Sequence, residues 1–212
     1  MRYKSKEDAI KDHVDNYRSD GISKGKGTRY SPDFHRVEFI ISQVPKEAKV
    51  LDVGCNGGTL GIRLTKELNC YVKGLDIVES LVLLSNKRGV FAEVGEAEDL
   101  SRFDDNSFDC VICTEVLEHL YDPVPAMREA YRVLKPKGNY IVTVPHPLSE
   151  MSNKLGDYHQ TNFSFEILDT IFHMTFEREK VKYFLLPYVK EYCLANNLDP
   201  RVPQWCALCA VK

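Results

Sequence analysis

The run Val50-Leu51-Asp52-Val53-Gly54-Cys55-Asn56-Gly57-Gly58 constrains this chain more than any other stretch. It reads as an apolar strand that ends in a glycine-rich turn and passes directly into a helix beginning near Thr59. Such a turn lets the backbone approach a ligand closely, and the helix N-terminus behind it presents N–H groups. The pattern implies a nucleotide-like ligand at the end of the first core strand. A dinucleotide fingerprint needs glycine at the first, third and sixth turn positions; here they are Gly54, Asn56 and Thr59. A phosphate-gripping loop needs lysine and a hydroxyl residue after its last glycine, which Thr59-Leu60 does not supply. The stretch Gly21-Ile22-Ser23-Lys24-Gly25-Lys26-Gly27-Thr28 is similar to such a loop, but its spacing is wrong and no apolar strand precedes it. What survives is a pocket with an acid, Asp52, on the strand before the turn. A carboxylate there repels a pyrophosphate and suits a ligand carrying an ammonium or sulfonium centre.

Downstream residues sharpen this reading. Cys70–Asp76 is a second strand ending in a carboxylate at the position where an acid takes ribose hydroxyls, about 20 residues after the glycine turn. Asp76 also reads as a helix N-cap for the stretch from Val78, and the two roles are compatible. A third strand, Val90–Val94, ends in Gly95-Glu96-Ala97-Glu98-Asp99-Leu100. Phe108–Thr114 is nearly all apolar, as expected of a strand buried on both faces. A helix over Val124–Leu134, the turn Lys135-Pro136-Lys137-Gly138 and the strand Tyr140–Val144 follow.

The ordered set LDVGCNGG, GLDI, GEAEDL, NSFDCVICTEVLEHLYDP and REAYRVLKPKGNYIVTVP resembles a class I S-adenosylmethionine-dependent methyltransferase. The similarity is to the small type found in ubiquinone and menaquinone biosynthesis, and it spans Val50 to Pro145 in order and spacing. It implies an α/β fold: a doubly wound, mostly parallel, seven-stranded Rossmann-like sheet with helices on both faces and an antiparallel last strand. It implies S-adenosylmethionine as cofactor. Asp52 and the backbone from Gly54 through Cys55, Asn56 and Gly57 to Gly58 would hold the methionine part. Asp76 would bind the ribose hydroxyls and Ile77 would cover one face of the adenine. Glu96 would accept from the adenine amino group, with the backbone of Ala97 beside it. Thr114 would place its backbone near the ligand's amino group. The chain departs from the family at Asn56, where glycine is usual, but asparagine tolerates positive φ better than other non-glycine residues. It departs again at Glu96, where aspartate is common.

Bulk properties agree. A chain of 212 residues, 43% hydrophobic, supports one well-buried α/β domain and little more. The expected organisation is a single domain, with residues 1–45 as a helical cap and lid, 46–145 as the cofactor-binding core, and 146–212 as the substrate side and closing strands. The N-terminal stretch has no apolar h-region, and no run approaches a membrane span, so neither export nor insertion is expected. Seven cysteines without a small secreted framework favour a reducing cytoplasm. The pairs Cys110/Cys113 and Cys206/Cys209 have the spacing of zinc half-sites. Both fall in apparent strands, where residues three apart point to opposite faces, so a structural buried role is expected instead.

The segments outside the shared core should choose the substrate. Helices are expected from about Lys6 to Tyr17 and from Pro32 to Ser42, the second started by Ser31 as N-cap. Between them, Gly21–Tyr30 reads either as a cationic lid over the cofactor or as a solvated linker. Tyr17 and Tyr30 are candidates to line the pocket or to pack between helices. After the fifth strand, Pro145–Asn162 starts where the ligand crevice of an open α/β sheet lies. Phe163–His173 reads as a helix with Ser164 as N-cap. Val181–Leu186 and Gln204–Val211 read as closing strands, and Pro187–Pro203 as a further wall of the cleft.

Methyl transfer from a sulfonium neutralises the cofactor's charge, so an apolar, dehydrated pocket and good positioning supply much of the catalysis. A hydroxyl nucleophile also needs a base, and histidine titrates near working pH. His119, His146 and His159 sit where strand ends should converge, His119 being the first candidate; the alternative is a histidine that only shapes its turn. Glu115, Glu118 and His119 stand at helical spacing and resemble the metal site of the RNA 3′-terminal 2′-O-methyltransferases, with His159 as a fourth ligand. A net charge of −3, a pI near 6.1 and no basic stripe outside the lid argue against a nucleic-acid substrate. The expectation is therefore methylation of a small molecule, at oxygen, without metal. The alternatives are metal-assisted 2′-O-methylation of an RNA end, and a protein that binds the cofactor without catalysis.

Overall fold

In the computed structural model, residues 5–8, 10–11, 14, 34–149, 163–187 and 203–212 are described. The expected lid Gly21–Tyr30 lies outside them, as do Tyr17, the N-cap Ser31, His159 and most of the connection between Pro187 and Pro203.

The sheet forms because its strands alternate two apolar faces. Strands β1 (Lys49–Val53), β2 (Tyr71–Asp76), β3 (Phe91–Val94), β4 (Phe108–Thr114), β5 (Leu134–Pro145), β6 (Val181–Leu186) and β7 (Trp205–Val211) build one seven-stranded sheet in the order β3-β2-β1-β4-β5-β7-β6. The first five strands pair in parallel, and β7 runs antiparallel to both β5 and β6. Leu51, Val53, Val111, Cys113, Tyr140, Val142, Cys206 and Leu208 enter the core on one face. Val50, Cys110, Ile112, Ile141 and Cys209 enter the core on the other. The period of two therefore sends the members of each CxxC pair to opposite sides of the sheet, which is why neither pair can converge on a metal.

Helices cover both faces. α1 (Phe34–Gln43) and α2 (Thr59–Leu68) bury Ile40 and Leu64 in the core containing Val50 and Ile112. α4 (Pro123–Val133) and α5 (Phe165–Phe172) bury Met127, Ala130, Leu168 and Phe172 against Tyr140 on the other face. α3 (Glu79–Lys87) places Val82 beside Cys55 and Ala92. The caps follow the sequence: Asp122 accepts from the Val124 N–H with Pro123 opening α4, and Ser164 accepts from the Ile167 N–H to start α5.

Some boundaries differ from the sequence reading. The turn Lys135–Gly138 is absorbed into β5, with a register shift between Phe108 and Cys110 and Lys137 at φ 68°. Hydrogen bonds from the Lys137 N–H to the Lys212 carbonyl and from the Lys212 N–H to the Gly138 carbonyl hold that bulge, a contact invisible to local pattern. The closing strands pair antiparallel at the edge of the sheet, as expected, in an order that local pattern leaves open. β7 inserts between β5 and β6, so β6 is the edge. The strongly apolar β7, buried from Trp205 to Ala210, takes the interior position that β6, with Lys182 and Leu185 exposed, is unsuited to.

Candidate active site

Strand order reverses between β1 and β4, and the crevice at such a switch point opens at the carboxyl ends of the strands. The glycine turn sits there. Gly54 (φ 78°), Asn56 (φ 51°) and Gly58 (φ 75°) all adopt left-handed backbone. Asn56 thus takes the conformation expected of it, and its Oδ1 accepts from the Gly57 N–H at 2.7 Å. The N–H groups of Gly54 and Cys55 both donate to the Leu75 carbonyl, which pins the turn to the end of β2. A Cβ on Gly54 would meet Val116 Cγ2 at 2.3 Å, and one on Gly58 would meet Ser85 Oγ at 2.6 Å. Close approach and positive φ coincide at Gly54, so Gly54→Ala should lower stability by about 1–3 kcal/mol. Urea unfolding of the two proteins measures this directly.

Asp76 ties the turn together. Its Oδ2 accepts from the Asn56 N–H at 2.8 Å and its Oδ1 from the Val78 N–H at 2.9 Å. It is not the cap of α3, which begins at Glu79 with Val78 in the N-cap position and no side-chain cap bond. Burial pushes the Asp76 carboxyl up, and the backbone donors at Val78 and Asn56 pull it back.

A cavity of about 760 Å³, including its open mouth, lies over this turn. Gly54, Asn56, Asp76, Ile77, Glu96 and Ala97 line it, together with His119. Asp52, Cys55, Gly58 and Thr114 do not. Asp52 is buried in β1 at 2% exposure, below the turn, and its carboxyl is pushed up to about 7, by burial first and by the Asp76 charge second. Cys55 turns inward against Val82 and Ala92. Gly58 gives its space to Ser85 of α3. After Thr114 the chain bends at Glu115, φ 57°, so Glu115 and Val116 reach the cavity in place of Thr114. His146 is half-buried beyond β5, where its Nδ1 accepts from the Leu148 N–H at 3.1 Å, and it does not line the cavity.

The Asp52 shift has a consequence for stability. A carboxyl with a raised folded-state value binds more protons folded than unfolded, so its contribution is present at low pH and is lost as pH rises toward about 7. Asp52→Asn should therefore raise the thermal midpoint more at pH 8 than at pH 5, the effect disappearing only below the ordinary carboxyl value of 3.8. Equal shifts at both values would refute a proton on Asp52.

The acids after β4 do not share a helical face. Glu115 lies at the bend, before the short 3-10 turn Leu117–His119. Its Oε1 accepts from Thr143 Oγ1 at 2.9 Å and its Oε2 from Trp205 Nε1 at 3.0 Å. Glu118 is buried at 1% exposure, and burial followed by the Glu115 charge pushes its carboxyl well up. Its Oε1 stands 3.9 Å from His119 Nε2. The expectation of three ligands on one helical face is therefore corrected: Glu115 sits at a strand-end bend and only Glu118 and His119 belong to the 3-10 turn. Among the described residues, no group of three or more candidate ligands could hold a metal.

Sequence reasoning missed several wall residues. Lys6 and Ile10 come from the N-terminal helical residues, and Glu98, Leu120 and Tyr121 from the loops beyond β3 and β4. It also missed the clamp behind Glu96 and Ala97. Arg132 of α4 pairs with Glu129 and Asp105 and donates to the Leu100 and Phe103 carbonyls, while Glu129 accepts from the Leu100 N–H. These bonds fix the loop that follows Glu96 and Ala97.

The donor set fits the implied cofactor. Asp76, Glu96, Glu98 and Glu115 surround the cavity, and Gly54 and Asn56 keep backbone at its floor. That is a wall suited to hydroxyls, an exocyclic amine and cationic centres, and unsuited to phosphates.

Comparison with known proteins agrees with this geometry. Residues 51–142 match the methyltransferase domain family. A ubiquinone biosynthesis O-methyltransferase of Neisseria meningitidis serogroup A is 35% identical over 97 residues, 42% of this chain and 41% of that protein. Its counterpart in Xanthomonas axonopodis pv. citri is 36% identical over 115 residues, 51% of this chain and 48% of that protein. The chain thus spans less than half the length of these curated relatives. Among solved structures, a possible histamine N-methyltransferase from Thermotoga maritima superposes with a TM-score of 0.71 at 22% identity, over 97% of this chain and 99% of that one. A putative methyltransferase of Haloferax volcanii, solved with a methyltransferase activator, gives 0.75 at 19% identity over 93% and 96%. The fold is that of the class I S-adenosylmethionine-dependent methyltransferases, and residues 51–142 match the methyltransferase domain family within it. Within the class, the sequence similarity runs to the ubiquinone biosynthesis O-methyltransferases.

Proposed function

We propose that this protein transfers the methyl group of S-adenosylmethionine to the oxygen of a small molecule. The observation that carries the reading is the cavity at the β1/β4 switch point, where the glycine turn, Asp76 and Glu96 meet His119. When bound, the cofactor supplies an electrophilic methyl on a sulfonium. The chain's residues do the rest. Asp76, braced by the Asn56 and Val78 N–H groups, presents its carboxylate to the ribose hydroxyls. Glu96 accepts from the adenine amino group, and Ile77 with Leu81 covers the ring. Val116 and Leu120 supply the apolar wall that keeps water from the reacting atoms. His119 takes the proton from the acceptor hydroxyl as the oxygen–carbon bond forms and the carbon–sulfur bond breaks.

Residues 46–145 hold the cofactor in this reading, and the flanking segments shape the acceptor side. The oxygen preference is supported by His119 in the cavity and by the named activity of the curated relatives. Among the described residues no helix is long and apolar enough to cross a membrane, and a net charge of −3 favours a small acceptor over nucleic acid. The engagement of Glu115 by Thr143 and Trp205 supports this reading over metal-assisted methylation of RNA.

The test is transfer of a labelled methyl group from S-adenosylmethionine into fractionated extract, with and without chelator. Label in the small-metabolite fraction, unaffected by chelator, is expected. Chelator-sensitive label in RNA would overturn the reading, and cofactor binding without label in any fraction would favour a non-catalytic protein.

A further inference from the structure

Lys6 lies far from the glycine turn in sequence, yet it stands over the adenine side of the cavity. Its Nζ is 2.8 Å from Glu96 Oε2 and 3.5 Å from Glu98 Oε2. Lys6 and Ile10, one helical turn apart and so on one face, both line the cavity. The two acids differ in setting: the Glu96 side chain is 39% exposed and that of Glu98 only 7%. An exposed ion pair contributes little, but a carboxylate removed from water demands a partner. Burial pushes the Glu98 carboxyl up, and the Lys6 charge opposes that. Glu98 therefore anchors Lys6, and Lys6 in turn holds one oxygen of Glu96, the residue assigned to the adenine amino group.

We propose that Lys6 is a positioning residue of the cofactor site: bridging Glu98 and Glu96, it orients Glu96 toward the adenine and latches the N-terminal helical segment across that end of the cavity. The inference rests on the cofactor assignment above. Cofactor that enters or leaves past this segment must do so with the Lys6 bridge broken, so the bridge slows release. Because Lys6 is partly exposed, added salt weakens the bridge.

Release of labelled S-adenosylhomocysteine, chased with unlabelled compound at low salt and at ~0.5 M salt, tests this. From the wild-type protein, release should quicken with salt by about two- to fivefold, the scale of one partly exposed charge pair. Lys6→Met keeps the apolar stem; it should release at the fast rate even at low salt and lose the salt response. Glu98→Gln should do the same, and Lys6→Arg should restore slow, salt-sensitive release. Slow, salt-sensitive release from Lys6→Met would overturn the latch while leaving the cofactor assignment intact. A wild-type protein that fails to bind S-adenosylhomocysteine would overturn both.

Discussion

Replacing His119 with alanine should lower turnover by about 10²–10⁴-fold while leaving cofactor affinity nearly unchanged, the range expected when a general base is removed. His119 lines the cavity from the end of the 3-10 turn after β4, and its backbone N–H is fixed by the Val116 carbonyl. Its side chain is 14% exposed, so the ring is sheltered but reachable. In the proposed reading cofactor contacts come instead from Asp76, Ile77 and Glu96 at the carboxyl ends of β2 and β3, which is why binding and turnover should separate. Unchanged turnover would remove His119 from the chemistry and leave positioning and desolvation as the catalytic agents.

Asp76→Ala should weaken S-adenosylmethionine binding by about 1.5–3 kcal/mol, or roughly 10–100-fold in Kd, the scale of losing charge-assisted hydrogen bonds. The loss has two origins. The carboxylate proposed to hold the ribose disappears, and so do the acceptors that hold the Asn56 and Val78 N–H groups. Asp76→Asn keeps one acceptor and should lose less. Calorimetric titration distinguishes the variants, and an unchanged isotherm for Asp76→Ala would refute the ribose assignment.

The strands could be read because buried parallel strands announce themselves as short apolar runs ended by turn residues. Phe108–Thr114 and the closing pair of strands fall where pattern placed them, within a residue. Periodicity also settled the CxxC pairs, since residues three apart on a strand face opposite cores. Pattern failed where a contact at long range decides the outcome. The bulge at Lys135–Gly138 depends on Lys212, and the interior place of β7 depends on which of two apolar strands tolerates burial on both sides. The Glu115/Glu118/His119 spacing misled for a related reason: a left-handed residue at a strand end breaks the helical period on which the shared face depended.

By itself the sequence determined the glycine turn, the acid at the end of β2 and the positions of the strands along the chain, because each is a local demand of backbone conformation or burial. Through their resemblance to the class I methyltransferases these implied the class of fold and its cofactor. Only the tertiary structure decided which acids face the cavity and which lie beneath it. Asp52 is adjacent to the turn in sequence yet buried below it, whereas Lys6, distant in sequence, closes over Glu96 and Glu98. Local pattern reports the face of an element on which a side chain stands, but a site is assembled across elements, where packing and compensation of buried charge choose the partners.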